Sequence, residues 1–464
     1  MKQRMRLMEV DKTERAAYLA GLRSTYGEEI LPNDEGMLAA HQRNCEALRH
    51  RLNSRMQPEA GGIDRDPHRL LVCLTQRCTF ACSHCWVFAS PLADCGLGLD
   101  ELDAIHRHTS TGSVPRWTVS GGEFFTVPHF DEILKRYPID CVFTNGFWGY
   151  PRERCRRYVG RIAAALRDSP RLRDGALTFI LSYDSYHVEA GGRDLPLAAA
   201  IAGIIAEFHE TIPQVNLRIS HARSSAQDSG YRDVISALEQ EGFSISQTAR
   251  LDHNGTITTL SYHYQKQAGP VRELFVDTYP ITPICRALLH HPAIDPGANA
   301  RPPVITRNSP RARYQYALGP DGGVGLYQIL YAPPVPYWLG DLVHEPWDAI
   351  AARADLDPIA ITLDEDGIGP ILSFMDRYYP ALMRSLAPAF SMTQQFLYLV
   401  LLDPDRRLLL NAYLLRRVHE LGRLGTMDED LLRLVRSVLA SADAGSRQSG
   451  LRELYDSRVP VLVP

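Results

Sequence analysis

The sequence predicts an α/β fold with three parts. A parallel sheet of six strand–helix units, curling into a barrel or an open part of one, is followed by a small β-hairpin-containing extension and a helical C-terminal region. Three observations carry this. Apolar strand-like runs alternate with helical runs from about residue 69 to residue 247. Two β-rich runs then flank Gly319-Pro320-Asp321-Gly322-Gly323, a turn signal. From about residue 355 onward, apolar residues recur at three- and four-residue steps.

Composition narrows the classes. The chain has 464 residues, enough for two or three folded units, with 45% apolar and 22% charged residues, as in ordinary globular proteins. A net charge of -4 gives no basic field for nucleic acid or an anionic membrane. The N-terminus, MKQRMRLMEVDKTERA, has no apolar signal core. The longest apolar run, near Leu197–Ala206, falls short of the ~18 residues that span a bilayer. Nine cysteines, scattered except for one triplet, fit reduced thiols in a cytoplasm rather than a disulfide framework.

In chain order, residues 1–66 are charge-rich and helical in pattern, with Leu38, Cys45, Leu48 and Leu52 on one face, and Pro58–Gly62 reads as a linker. Strands are expected at Leu70–Thr75, Trp117–Ser120, Cys141–Thr144, Leu177–Ser182, Val215–Ser220 and Phe243–Gln247. Helices are expected at Leu99–His108, His129–Tyr137, Glu153–Asp168, Leu195–Glu210 and Tyr231–Glu239. Right-handed crossovers turn such units one way, and reactive groups then collect at the C-terminal edge of the sheet. The expected divisions are 1–66 helical, 67–255 barrel, 256–354 extension and 355–464 helical. In the last, helical runs at Ile371–Leu386, Thr393–Leu402, Leu408–Leu424 and Leu431–Leu439 are broken by Pro380, Pro388 and Pro404.

The chemistry concentrates just after the first strand, where Cys78, Cys82 and Cys85 have the spacing C-x3-C-x2-C. Nine cysteines placed at random would give this spacing in roughly a few chains per thousand. Three thiolates so close can close on one iron–sulfur cluster and leave one iron without a protein ligand. A zinc site would want a fourth ligand from a second C-x2-C or H-x3-H pair, and none is near; His84, next to Cys85, is poorly placed for the task.

This loop resembles the cluster loop of the radical S-adenosylmethionine (SAM) superfamily. The resemblance implies a six-unit partial (βα)6 TIM-like barrel, a [4Fe–4S] cluster on Cys78, Cys82 and Cys85, and SAM chelated to the open iron. It extends to Gly121-Gly122-Glu123 after the second strand, similar to the family's GGE motif that binds SAM's amino group. Phe124 stands where the family usually has proline. Thr144-Asn145-Gly146 resembles the family's TNG turn, and Ser182 and Asp184 stand where relatives approach SAM. Asp184 equally suits a helix cap. By the same resemblance His84 lines the adenine side. Arg218 on the fifth strand would, if inward, pair with the SAM carboxylate, and an outward, solvated place suits it equally. Tyr186 and His187 are substrate-side candidates, and Cys285 or Cys95 is a candidate hydrogen-atom donor, although most such thiols are structural.

Residues 280–350 resemble a SPASM or twitch extension, but Tyr327, Gln328 and Tyr331 stand after the hairpin, and Cys285 is the only cysteine beyond Cys155. One thiolate does not hold an auxiliary cluster. That favours redox-neutral tailoring such as epimerisation, rearrangement or elimination. The implied partners are a small-molecule or peptide substrate and an external electron donor such as flavodoxin or ferredoxin. Residues 1–66 are too helical for the winged-helix module that binds peptide leaders in many relatives. The reading from another class is a non-catalytic zinc- or iron–sulfur-binding scaffold.

Overall fold

The computed structural model describes residues 12–31, 38–56, 69–110, 116–173, 175, 177–225, 227–253, 257–267, 269–281, 285–290, 316–326, 337–386, 393–422 and 427–457. Pro58–Gly62, Tyr327, Gln328, Tyr331, Pro388 and Leu424 lie outside them.

Two helices, α1 (Lys12–Tyr26) and α2 (Leu38–Asn53), precede the sheet. Then β1 (Arg69–Thr75), β2 (Arg116–Gly121), β3 (Ile139–Thr144), β4 (Thr178–Ser182) and β5 (Asn216–Arg223) lie side by side, all parallel. Between them run α3 (Leu99–Ser110), α4 (Phe130–Arg136), α5 (Arg152–Leu166), α6 (Pro170–Arg173), α7 (Ser185–Gly191) and α8 (Leu197–Thr211). After α9 (Arg232–Gln240) come β6 (Phe243–His253), β7 (Ile257–Lys266) and β8 (Arg272–Pro280). The chain continues with α10 (Arg286–His290), β9 (Tyr316–Leu318), β10 (Gly323–Leu326) and β11 (Gly340–Asp341). Among the described residues all eleven strands form one sheet, ordered β11-β10-β9-β1-β2-β3-β4-β5-β8-β7-β6.

This is the expected α/β class with a mostly parallel sheet, but the sixth parallel place is taken differently. β6 is not the neighbour of β5: it pairs antiparallel with β7, β7 with β8, and β8 lies parallel to β5. Side-chain chemistry explains the choice. An interior strand is covered on both faces and needs apolar residues to fill them. β8 supplies Leu274 and Val276, fully buried, whereas β6 (FSISQTARLDH), apart from buried Phe243 and half-buried Ile245, is mostly polar and exposed as far as Asp252 and suits an edge. The expected boundary at residue 255 falls in the connection between β6 and β7, inside one antiparallel pair.

The period of two divides each parallel strand. Leu70, Val72, Leu74, Trp117, Val119, Val142, Phe179, Leu181, Leu217 and Ile219 are at most 2% exposed and join the core shared with the helices. Each such side chain contributes roughly 1.5–3 kcal/mol on burial. The alternate residues Leu71, Ser120, Phe143, Ile180, Arg218 and Asp277 line a cavity on the other face.

The hairpin forms where the turn signal placed it, with Leu318 opposite Val324. Its strand β9 pairs parallel with β1, so the extension borders the cysteine-bearing strand.

The C-terminal helices are α11 (Trp347–Asp355), α12 (Pro358–Glu365), α13 (Gly369–Tyr378), α14 (Pro380–Ser385), α15 (Thr393–Leu401), α16 (Pro404–Glu420), α17 (Glu429–Asp443) and α18 (Arg447–Asp456). Pro380 and Pro404 begin α14 and α16 rather than only ending their predecessors, because a first-turn residue needs no N–H partner. The two helical ends of the chain pack on each other. Buried Arg49 of α2 pairs with Glu46 (2.7 Å) and with Asp357, Arg407 of α16 meets Glu46 at 2.8 Å, and Asn411 bonds Asn53 at 3.0 Å. No helix among the described residues is long and apolar enough to cross a membrane.

Candidate functional site

The cysteine loop leaves the C-terminal end of β1 and is tied down at its base. The amide of Gln76 donates to Cys95 O (2.8 Å), Cys78 N to Ser90 O (3.0 Å) and Leu97 N to Leu74 O (2.9 Å). The fully buried Gln76 side chain donates to Val87 O at 2.8 Å. From behind, Arg286 of α10 grips the loop, donating to Ala89 O at 2.9 Å and Cys82 O at 3.3 Å and pairing with Glu14 of α1 at 2.7 Å.

Gly121 and Gly122 make room for this loop. Gly121 has φ +113°, and a Cβ there would sit 2.7 Å from Thr75 O; at Gly122 it would overlap the Arg77 carbonyl. The amides of Gly122 and Glu123 donate to Thr75 O (2.6 Å) and Arg77 O (2.8 Å). The glycine pair thus serves first the close approach of the chain to itself.

All three cysteines line the cavity. Cys78 Sγ accepts from Phe80 N and from Asn145 Nδ2, both at 3.4 Å, and Cys85 Sγ accepts from Ala89 N at 3.3 Å. Burial pushes the Cys78 thiol up to about 12, aided by the nearby Glu123, and pushes Cys82 higher still. Such thiols are poor nucleophiles at neutral pH, whereas a bound cation would deprotonate them outright. Three such thiols on one cavity wall suit a metal better than nucleophilic attack. Cys82, His84 and His187 also converge, their ligand atoms within 4.8 Å of one another.

Glu123 is 1% exposed, and burial raises its carboxyl to about 7 against the pull of its donors. Those donors are Phe125 N (3.1 Å), Thr144 Oγ1 (2.9 Å) and Asn145 N (2.7 Å). It binds the end of β2 to the turn after β3. Gly146 in that turn has φ +71°, and the side chain of Asn145 also reaches Thr79 Oγ1 at 3.0 Å. Asn145 is a site residue that the expectations left out, although the TNG turn contained it.

Asp184 takes the cap role. It accepts from Tyr186 N (3.0 Å), His187 N (2.9 Å) and His187 Nδ1 (2.9 Å) at the start of α7, and lies 3.6 Å from His84 Nε2. Burial alone would raise this carboxyl, but His187 and His84 beside it hold it well below the ordinary range. Asp184 is not among the cavity-lining residues; it orients His187 and His84, which are. Tyr186 is likewise not among them: it packs on His84, ring centroids 4.8 Å apart.

The cavity holds about 570 Å³. Its far wall comes from β4, β5, β7 and β8, with Ser182, Arg218, Ser220, Ile257, Thr259, Asp277 and Tyr279 facing in. Arg218 takes the inward place, but its Nε and Nη2 form a two-pronged pair with Asp277 at 2.8 and 2.7 Å. Thr259 donates to the same carboxylate at 2.7 Å, and Ser220 meets the Tyr279 hydroxyl at 3.1 Å. The wall residues of β7 and β8 lie beyond residue 247, where the expected strand–helix alternation ends. The period of two in Arg272–Pro280 was the signal that places Asp277 and Tyr279 on one face.

Cys285 does not line the cavity. It is 2% exposed, with φ +52°, behind the cysteine loop near Tyr18 and Tyr398. Cys95 is also buried at the base of the loop, its sulfur 4.0 Å from Pro320 O.

No protein-family model and no curated protein matches this chain. Several solved structures are similar to it, among them these two. One is native anSMEcpe with bound AdoMet and Cp18Cys peptide, 10% identical, covering 61% of this chain and 80% of that one at a TM-score of 0.34. The other is Streptococcus suis SuiB bound to S-adenosylmethionine, 11% identical, covering 66% of this chain and 67% of that one at a TM-score of 0.31. At TM-scores this low neither likeness bears on function.

Proposed function

We propose that the chain is a radical SAM enzyme built on a partial barrel, and that it removes a hydrogen atom from a natural-product or ribosomal-peptide substrate. The observation that carries this is that Cys78, Cys82 and Cys85 line one cavity. The GGE and TNG segments and Ser182 border the same space. A [4Fe–4S] cluster with SAM on its open iron supplies, when bound, a 5′-deoxyadenosyl radical by one-electron cleavage of the sulfonium.

The protein's share is placement and exclusion of water. The three sulfurs hold the cluster, and the N–H donors of Phe80, Ala89 and Asn145 moderate their charge. Gly121–Glu123, Thr144 and Ser182 border SAM. Arg218, with Nε and Nη2 committed to Asp277, offers Nη1 to a carboxylate. His187, fixed by Asp184, stands on the substrate side with His84 nearer the adenine. With no cysteine beyond Cys155 except the cavity-remote Cys285, a redox-neutral outcome fits the chain best. A flavodoxin- or ferredoxin-type protein would deliver the electron.

Anaerobic reconstitution tests this. It should give one [4Fe–4S] cluster per chain and release 5′-deoxyadenosine from SAM under a strong reductant, with both lost in Cys82→Ala. Two clusters per chain would refute the single-cluster assignment. The convergence of Cys82, His84 and His187 favours one rival, a mononuclear metal in a non-catalytic scaffold. Zinc held at this site in place of iron, with no SAM cleavage, would establish that rival.

A further inference from the structure

A second donor cluster lies in the helical part of the molecule. His41 and Cys45 sit four residues apart on α2, a spacing that puts both on one helical face. Asp405 comes from the first turn of α16 and Tyr455 from α18.

Their polar atoms meet at one point. His41 Nε2 is 2.8 Å from Asp405 Oδ1, the Tyr455 hydroxyl is 2.6 Å from the same oxygen, and Cys45 Sγ is 2.7 Å from the Tyr455 hydroxyl and 3.9 Å from His41 Nε2. The Tyr455 hydroxyl is 3.4 Å from His41 Nε2, and the His, Cys and Asp ligand atoms all lie within 4.8 Å of one another. Cys45 is 2% exposed, while His41 and Asp405 are about one-third exposed, so an ion has a way in.

We infer that His41, Cys45 and Asp405, with Tyr455 as fourth neighbour, form a binding site for a divalent first-row metal ion, zinc by preference. Zinc bonds of about 2.0–2.3 Å to nitrogen, oxygen and sulfur set tetrahedral edges of roughly 3.3–3.6 Å, and the His41–Asp405 and His41–Cys45 spacings of 2.8 and 3.9 Å lie on either side of that range. A mixed thiolate, imidazole and carboxylate set suits zinc better than calcium or magnesium. Helices from both ends of the chain supply the ligands, so the ion clasps α2 to α16 and α18, as a structural site would. On binding, the Cys45 thiol and any protonated His41 release their protons to solvent. This site is separate from the cavity and does not depend on the radical SAM assignment.

The test uses the full chain carrying Cys78→Ala, Cys82→Ala and Cys85→Ala, so that cluster ligands are silent, alongside the reconstituted wild type. Each should bind about one equivalent of Zn²⁺ that resists gel filtration, and its unfolding midpoint should rise with Zn²⁺. Co²⁺ in the same place should show a thiolate charge-transfer band and the strong visible absorption of tetrahedral cobalt. Cys45→Ser should abolish that band, and His41→Ala and Asp405→Asn should each weaken binding at least tenfold. Circular dichroism confirms the fold of each variant. If the triple variant binds no Zn²⁺ or Co²⁺, the site does not exist. If Cys45→Ser binds as the parent does, or if binding is lost only in His187→Ala, the metal lies elsewhere and the inference is overturned.

Discussion

The two sides of the cavity are built on different principles. The near side, from β1 to the turn after β3, is held by backbone hydrogen bonds and by glycines with no space to spare: Gly122 N on Thr75 O, Glu123 N on Arg77 O, Cys78 N on Ser90 O. On the far side, from β5 to β8, the backbone pairs strand to strand, but the groups that face the cavity are tied to one another by side chains: Arg218 on Asp277, Thr259 on Asp277, Ser220 on Tyr279. A backbone-locked rim positions a cofactor within a narrow tolerance, since its bonds are not lost by exchanging a side chain. A side-chain wall keeps its shape while its chemistry changes, which is how a substrate pocket diversifies on a constant scaffold.

The contrast is broken most severely at Gly122. A methyl group there overlaps the Arg77 carbonyl, so Gly122→Ala should cost about 4 kcal/mol or more, read as a lowered denaturant midpoint together with loss of bound iron. A Gly122→Ala protein as stable as the parent would mean that the rim is not locked as described.

Asp184→Asn comes next. It removes a buried charge that accepts two amides and the His187 ring, at a cost of about 1–3 kcal/mol at pH 7. The sign in pH follows from the depressed folded-state pKa. The stabilisation is present above about pH 4 and is lost as pH falls through the folded value. Thermal melts of parent and variant should therefore lie apart at pH 7 and begin to converge only below about pH 4, closing fully only as pH falls through the depressed folded value. Parallel curves would show that the charge at Asp184 does not matter.

On the far wall the effects should appear in binding rather than in folding. Arg218→Lys keeps the charge and loses the planar fork, so the dissociation constant for SAM should rise about tenfold with iron content unchanged. Isothermal titration checks it, and an accompanying loss of cluster would blur the distinction between the two sides. Tyr279→Phe, which deletes one hydroxyl contact with Ser220, should be mildest, about 0.5–1.5 kcal/mol in stability by denaturant titration, with 5′-deoxyadenosine release intact.

The same division governs what could be read from the sequence. The near side was legible because its determinants are local: Cys78, Cys82 and Cys85 within eight positions, and Gly121-Gly122-Glu123 and Thr144-Asn145-Gly146 each at the end of one strand. The hairpin at Pro320-Asp321-Gly322 was legible for the same reason. The far side was not, because the Arg218–Asp277 partnership spans 59 positions and depends on an antiparallel excursion through β6 and β7. Nothing within any short window states that β8 rather than β6 will lie beside β5; the decision belongs to the competition of whole strands for a place covered on both faces. Cys45 was read only as an apolar helical position, since its partners Asp405 and Tyr455 are 360 and 410 positions away.

The lateral neighbour of β1 bears on how the protein is made. The strand beneath the three cysteines gains its second flank, β9, only after residue 318 has been synthesised, more than 230 positions after Cys85. At translation speeds of about 5–20 residues per second, that interval is roughly 10–50 s. For most of it the loop also lacks Arg286 behind it, and throughout it the three thiols sit on an unfinished edge. Protection of those thiols from oxidation is thus a demand placed on the nascent chain's surroundings, and slowing elongation past residue 100 would lengthen the exposure in proportion.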